Sequence, residues 1–242
     1  MTLRHARSVR PSLKLLCAGT LALLAGVSAA PAQGKRPVLI FGDSLMQLIS
    51  RSVTKNLAAY PAVEPMPLVS IGSGLARLDL FDWPAKLQEK MGARPEAAVV
   101  LMGANDNQPM KTDAGVVEMN TPGWSAEYAR RVDTILQTLQ AGGVKHLIWI
   151  GLPDMRDPGL QKDTREINRI VLAQTQGKSW VTFIDTVPLF STTAGKFSPY
   201  IQKKDGMPLM VRSADGVHLN KDGADFIAGI VVQNLAGAMG LK

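Results

Sequence analysis

Apolar and polar positions along the chain follow two periods in alternation. Residues 37–41 form a continuous apolar run that ends at Gly42-Asp43-Ser44, and over residues 45–57 the apolar positions recur at helical spacing. A buried strand, a sharp turn and a helix account for that switch. The rhythm repeats, with residues 67–71 as a strand, 83–91 as a short helix and 97–102 as an uninterrupted apolar strand. Residues 125–139 place Tyr128, Val132, Ile135, Leu136 and Leu139 on one helical face, with Arg130, Arg131 and Gln137 elsewhere, and Ala141-Gly142-Gly143 closes the helix. Residues 146–152 read as a strand, 163–174 as an amphipathic helix, 180–184 as a fifth strand and 221–239 as a last helix rich in Ala and Gly. Five strands separated by helices predict an α/β fold with a parallel sheet covered on both faces.

Two stretches break the alternation. Residues 107–124 carry Pro109, Gly115, Pro122 and Gly123, and residues 191–214 carry an Asp205-Gly206 turn between 197–202 and 207–212, the pattern of a β-hairpin. Both follow predicted strands, at the edge where open parallel sheets bind ligands. They are therefore expected either to face substrate or to decorate the surface.

The first residues are written differently from the rest. Arg4, Arg7, Arg10 and Lys14 precede an apolar run over residues 15–30, followed by the small residues of Ala30-Pro31-Ala32. Residues 1–32 are expected to be a secretory signal and residues 33–242 a single catalytic domain, exported and most naturally periplasmic. A membrane anchor is the competing reading, but the run is short and interrupted by Gly19, Thr20 and Gly26. A lipoprotein signal would need a small residue before Cys17, where Leu16 stands. Loss of the signal removes four Lys/Arg and no Asp/Glu, so the formal net charge falls from +7 to +3 and no longer argues for nucleic acid as a partner. The one cysteine leaves with it, and only His146 and His218 remain of the three histidines. A cysteine or histidine-rich metal site is excluded by that count, no cofactor is called for, and a catalytic histidine must be one of these two.

Acyl transfer by serine needs a hydroxyl at a strand-to-helix turn, a base within reach, a carboxylate to orient the base, and donors for the oxyanion. Ser44 stands at such a turn, although a serine before a helix is commonly its cap. Asp215-Gly216-Val217-His218 comes just before the last helix, spaced so that the carboxylate reaches one ring nitrogen while the other faces the serine. His146 is the rival base, but it opens an apolar strand, which favours a structural role. Gly103-Ala104-Asn105-Asp106 follows the third strand, where Asn105 can aim its amide at the same edge or form a turn. Gly72-Ser73-Gly74 follows the second strand, and either glycine could bring a backbone N–H close to a bound carbonyl. Asp43 and Asp106 read as capping or supporting carboxylates. Trp83, Trp124 and Tyr200 are candidates to line a sugar-binding cleft or to anchor packing, and Arg77 or Arg212 to hold an anionic substrate or stand in solvent.

Taken together, Gly42-Asp43-Ser44-Leu45, Gly74, Gly103-Ala104-Asn105-Asp106 and Asp215-Gly216-Val217-His218 resemble the four blocks of the SGNH/GDSL hydrolases across nearly the whole mature chain. Gly74-Leu75-Ala76-Arg77 with Phe81-Asp82-Trp83, and the 206–218 segment, look like a bacterial periplasmic branch catalogued as a domain of unknown function. The resemblance implies a three-layer α/β/α domain on a five-stranded flavodoxin-like sheet. It implies Ser44, Asp215 and His218 as a triad, and the Ser44 N–H, the Gly74 N–H and the Asn105 side chain as the oxyanion hole. The second block departs from the family in lacking the polar continuation after its glycine. No G-x-S-x-G elbow is present, against an α/β-hydrolase. The activity expected is hydrolysis of acyl esters, above all acetyl esters, on small molecules or on cell-wall or extracellular polysaccharide. A glycan O-acetyltransferase using the same triad, and a non-catalytic envelope-assembly protein on the same frame, are the alternatives.

Overall fold

The computed structural model of the protein describes residues 1–2, 34–191 and 196–242. The expected signal, with Cys17, lies outside the described residues apart from its first two positions. Contacts divide the chain into Met1–Gln33 and Gly34–Lys242, and the second unit carries the fold. Its central sheet contains β1 (Arg36–Gly42), β2 (Val63–Val69), β3 (Ala97–Leu101), β6 (His146–Ile150) and β7 (Val181–Ile184), all parallel, in the order β2-β1-β3-β6-β7. The chain therefore moves first to one side of β1 and then to the other, which makes the carboxyl ends of β1 and β3 the point where the winding reverses. Crevices form there because the two connections leave in opposite directions.

Helices α1 (Met46–Leu57) and α6 (Lys221–Met239) pack against each other, while α2 (Trp83–Met91), α3 (Pro122–Ala141) and α4 (Pro158–Thr175) pack in a row. The layers close over β1 and β3, whose Val38 to Phe41 and Ala97 to Val100 are fully buried. Strands buried on both faces need no alternation, which is why they read as continuous apolar runs. A short helix, α5 (Val187–Phe190), follows β7, and two small antiparallel ribbons lie outside the sheet: β4 (Met110–Thr112) with β5 (Gly115–Val117), and β8 (Tyr200–Gln202) with β9 (Pro208–Met210).

Departures from the sequence reading have local causes. The second strand begins four residues earlier than its apolar run at Pro67, and Ile71, expected inside it, is 66% exposed. Pro65 and Pro67 lack the N–H that a central strand needs, but β2 lies at the sheet edge and bonds only β1. Helices α3 and α4 start earlier than their apolar periodicity because Thr121 and Asp157 cap them, accepting from the N–H groups of Trp124 and Leu160, with proline in the first turn. The β4–β5 ribbon is too short to leave a periodic signal. The expected hairpin between 197 and 212 is present as β8–β9.

Candidate active site

The turn after β1 is built from a glycine and a buried carboxylate. Gly42 has φ +154°, and a Cβ there would lie 1.9 Å from the carbonyl oxygen of Leu101, so the first strand can end this close to the third only with glycine. Asp43, fully buried, accepts from the N–H of Leu45 (2.9 Å) and of Gly103 (2.9 Å). The first bond closes a tight turn just ahead of α1. Ser44 does not cap that helix: α1 has no side-chain cap bond, and the Ser44 Oγ lies 2.9 Å from His218 Nε2 instead.

The other ring nitrogen of His218 is 2.8 Å from the Asp215 carboxylate. With Nδ1–H donating to Asp215, Nε2 is left as acceptor for the Ser44 hydroxyl. The second Asp215 oxygen accepts from the N–H groups of Val217 (2.8 Å) and His218 (2.9 Å), so the carboxylate closes its own turn. Burial pushes this carboxyl up, but the two backbone donors and the imidazole together outweigh it and hold Asp215 at about 2. Ser44, Asp215 and His218 line a cavity of roughly 310 Å³ with Leu45, Gln47, Leu48, Ser213 and Leu219. A larger cavity between the starts of α3 and α4 contains none of these three residues.

The second block is set by the third. Asp106, fully buried, accepts from the N–H of Leu75 (2.9 Å), the N–H of Ala76 (2.8 Å) and the Tyr128 hydroxyl (2.9 Å). From above, the Arg131 guanidinium donates to the carbonyls of Leu75 (2.6 Å) and Ala76 (3.0 Å). Two consecutive residues are thus gripped on both their N–H and C=O groups. Gly74 is glycine for a contact reason: a Cβ would fall 2.0 Å from Asp106 Oδ1. The Asn105 amide donates one hydrogen to the Ser73 carbonyl at 2.9 Å, which leaves its second hydrogen for another acceptor. The N–H groups of Ser44 and Gly74 have no acceptor among the described residues. The three expected oxyanion donors therefore emerge from the ends of adjacent strands in the order β2, β1, β3.

Burial pushes the Asp43 carboxyl up to about 7, against the N–H donors of Leu45, Gly103 and Ala104, and the charge of Asp106 adds to the rise. Burial likewise raises Asp106, opposed by Ala76, Leu75, Tyr128 and the charge of Arg131. Tyr128 is driven well above its usual range by burial and by the Asp106 charge beside it. The sequence marked both aspartates as supporting groups. Arg131, which it placed off the apolar face, is instead buried, because backbone carbonyls and Glu127 surround its fork.

Other candidates separate by position. His146 pairs with Ala97 at the start of β6, so it sits at the amino ends of the strands, opposite the carboxyl ends where Ser44 lies. Trp83 and Trp124 are fully buried, donating to Ser73 Oγ (3.2 Å) and to the Gln108 carbonyl (2.8 Å), and they anchor packing rather than line a cleft. Tyr200 is exposed on β8. Arg77 pairs with Asp79 at 2.8 Å. Arg212 is 2% exposed and does not stand in solvent. Among the described residues no group of three or more His, Cys, Asp or Glu could hold a metal ion, and no helix is long and apolar enough to cross a membrane.

Residues 37–234 match the model of a family described as protein of unknown function (DUF459). No curated protein matches the sequence. Among solved structures the chain is similar to a putative GDSL-like lipase from Bacteroides ovatus, at 12% identity and a TM-score of 0.55 over 87% of this chain and 55% of that one. It thus spans about half the length of that protein. It is similar also to an acetyl esterase, solved as a serine-to-alanine mutant with acetate ion (17% identity, TM-score 0.53, 84% of this chain and 97% of that one). A third is a carbohydrate esterase family 3 protein from Talaromyces cellulolyticus (18%, 0.53, 86% and 100%). At such identities the likeness is one of fold, and the parallel sheet flanked by helices is that of the SGNH hydrolases.

Proposed function

Since the chain belongs to the DUF459 family of proteins of unknown function, a membership that names no reaction, we propose that it is an exported serine esterase that removes acyl groups, foremost acetyl, from small-molecule or glycan esters. The observation that carries this is the unbroken contact line Ser44 Oγ, His218 Nε2, His218 Nδ1, Asp215, with spacings of 2.9 and 2.8 Å. A serine that merely capped α1 would bond the helix, and this one does not. The names of the acetyl esterase and the carbohydrate esterase that share the fold support the choice of acyl group and alcohol. The basic, apolar, small-residue order of residues 1–32 supports export.

In this mechanism His218 accepts the Ser44 proton as Oγ bonds to the ester carbonyl carbon. The carbonyl oxygen takes up negative charge and is met by the Ser44 and Gly74 N–H groups and the free hydrogen of the Asn105 amide. The bond to the alcohol oxygen then breaks as His218 returns the proton to it, leaving acyl-Ser44. Water, deprotonated by His218, attacks that ester and restores the serine. Asp215 stays ionised throughout, fixes the ring tautomer and stabilises the imidazolium. The test is a panel of acetylated glycans and short-chain esters incubated with wild type and Ser44→Ala, with released acid measured. Release by wild type alone is expected; equal release by both proteins would refute the assignment. Movement of labelled acetyl into an added glycan rather than into free acetate would replace hydrolysis with transfer.

A further inference from the structure

The Asp215–His218 turn belongs to no helix or strand of the central fold, and its working groups face solvent. The His218 side chain is 38% exposed and that of Asp215 is 49% exposed. Within the turn, Ser213 N–H donates to the His218 carbonyl (2.9 Å) and Gly216 N–H to the Ser213 carbonyl (3.2 Å). These bonds shape the turn but do not tie it to the sheet that carries Ser44.

The outward ties run through Arg212 and Arg156. The Arg212 guanidinium donates through Nη2 to the carbonyls of Gly216 (3.3 Å) and Val217 (3.0 Å), the two residues between Asp215 and His218. Through Nη1 it donates to the carbonyl of Asp154 (2.6 Å), in the segment that follows β6. One planar group thereby pins the turn to the end of a central strand. Arg156, from the same segment, adds an Nη1 bond to the Ala214 carbonyl (2.7 Å) and a backbone N–H bond to the Gly216 carbonyl (3.0 Å). The 191–214 stretch backs the arrangement: Val211 N–H bonds the Pro199 carbonyl, Asn220 N–H bonds the Val211 carbonyl, and Phe197 lies under the Arg212 guanidinium at 4.8 Å. This insertion is therefore neither decoration nor merely a loop near substrate, since it supports the turn that bears His218.

The energetics point the same way. Arg212 is 2% exposed, its Nε has no hydrogen-bond partner among the described residues, and no carboxylate bonds its fork directly. Burial pulls the guanidinium down to about 10, against the charges of Asp215 and Asp154. A charge held this way costs stability that an apolar side chain of similar volume would not. What a methionine or leucine cannot supply is a fork that meets three carbonyls at fixed angles.

We propose that Arg212 is a positioning residue that holds the Asp215–His218 turn at hydrogen-bonding distance from Ser44. Its effect on turnover rests on the esterase reading; its effect on the geometry of His218 does not. Arg212→Met, Arg212→Lys and Phe197→Leu would be compared with wild type as full chains by thermal melting, by kcat and KM on an activated acetate ester, and by NMR of the imidazoles. The three histidines would be assigned with His146→Gln and His218→Gln. In Arg212→Met, kcat should fall on the order of ten- to a hundred-fold with KM nearly unchanged, and the low-field Nδ1–H resonance of His218 should broaden or vanish. Arg212→Lys, with a single point charge, should recover only part of both, and Phe197→Leu should lose part of both.

A wild-type His218 resonance and wild-type kcat in Arg212→Met would overturn the proposal, as would a loss of kcat matched by the unfolded fraction in the melts. If Arg212→Met does not fold, unchanged resonance and kcat in both Arg212→Lys and Phe197→Leu would overturn it equally. Should wild type turn over no ester, the esterase reading fails while the resonance still decides the role of Arg212.

Discussion

Asp106 is the position where removing a few atoms should tell most about how the site is held. Its carboxylate is fully buried and serves three donors: Ala76 N–H on one oxygen, and Leu75 N–H with the Tyr128 hydroxyl on the other. Asp106→Asn can keep the shared oxygen as its carbonyl and retain two of the three bonds. Its NH2 then faces the Ala76 N–H, so one buried donor is orphaned, at a cost of about 1–3 kcal/mol. Asp106→Ala orphans all three, for which the same rule gives roughly 3–9 kcal/mol. Relief from burying a charge offsets part of that, because burial already raises this carboxyl, so a loss of about 3–6 kcal/mol is expected. Against a typical domain stability of about 5–15 kcal/mol, that is a large share.

Tyr128→Phe, which removes one donor and leaves the carboxylate in place, should cost only about 1 kcal/mol. Urea unfolding with a common m-value would measure all three, and turnover of an activated acetate ester would follow Asp106→Asn. Since Asp106 sets the peptides next to Gly74, turnover should fall on the order of ten- to a hundred-fold while the protein remains folded. Asp106→Ala within about 1 kcal/mol of wild type, or Asp106→Asn with full turnover, would refute the claim that this carboxylate shapes the second block.

Further expectations follow from the same geometry. Asn105→Ala should lower kcat roughly a hundred- to a thousand-fold, about 3–4 kcal/mol in the transition state, if its free amide hydrogen meets the oxyanion; unchanged turnover of an activated acetate ester would remove it from that role. His146→Gln, at the amino ends of the strands, should leave turnover as in wild type, and a deep loss with an unchanged melt would reopen the choice of base. Burial raises the folded Asp43 carboxyl from its ordinary 3.8 to about 7. Protonation is therefore favoured by folding, so its contribution to stability is complete below the unfolded value and is lost as pH rises through about 7. Urea midpoints measured across that interval should decline more steeply in wild type than in Asp43→Asn, and parallel slopes would contradict the burial argument.

What the sequence determined alone is the sheet and the order of the parts. Apolar runs such as residues 97–101 can be satisfied only between two layers, and the helical periods between them force parallel crossovers, so element type was legible from local pattern. The candidate site residues were legible as candidates, because Ser44, Asn105, Asp215 and His218 each follow a strand end or precede the last helix. Boundaries were less so: β2 was obscured by Pro65 and Pro67, tolerated only because that strand turned out to lie at an edge.

The tertiary structure alone decided which polar groups meet. A serine before a helix looks the same whether it caps the helix or faces an imidazole 174 residues away, and only the absence of a cap bond on α1 together with the His218 contact separates the two. Arg131 read as lying off the apolar face and Arg212 as an anion holder or a solvated charge, because no local pattern shows that carbonyls from distant loops will surround them. Hydrophobic periodicity is a property of neighbouring residues, whereas satisfying a buried polar group depends on partners brought in by the whole fold.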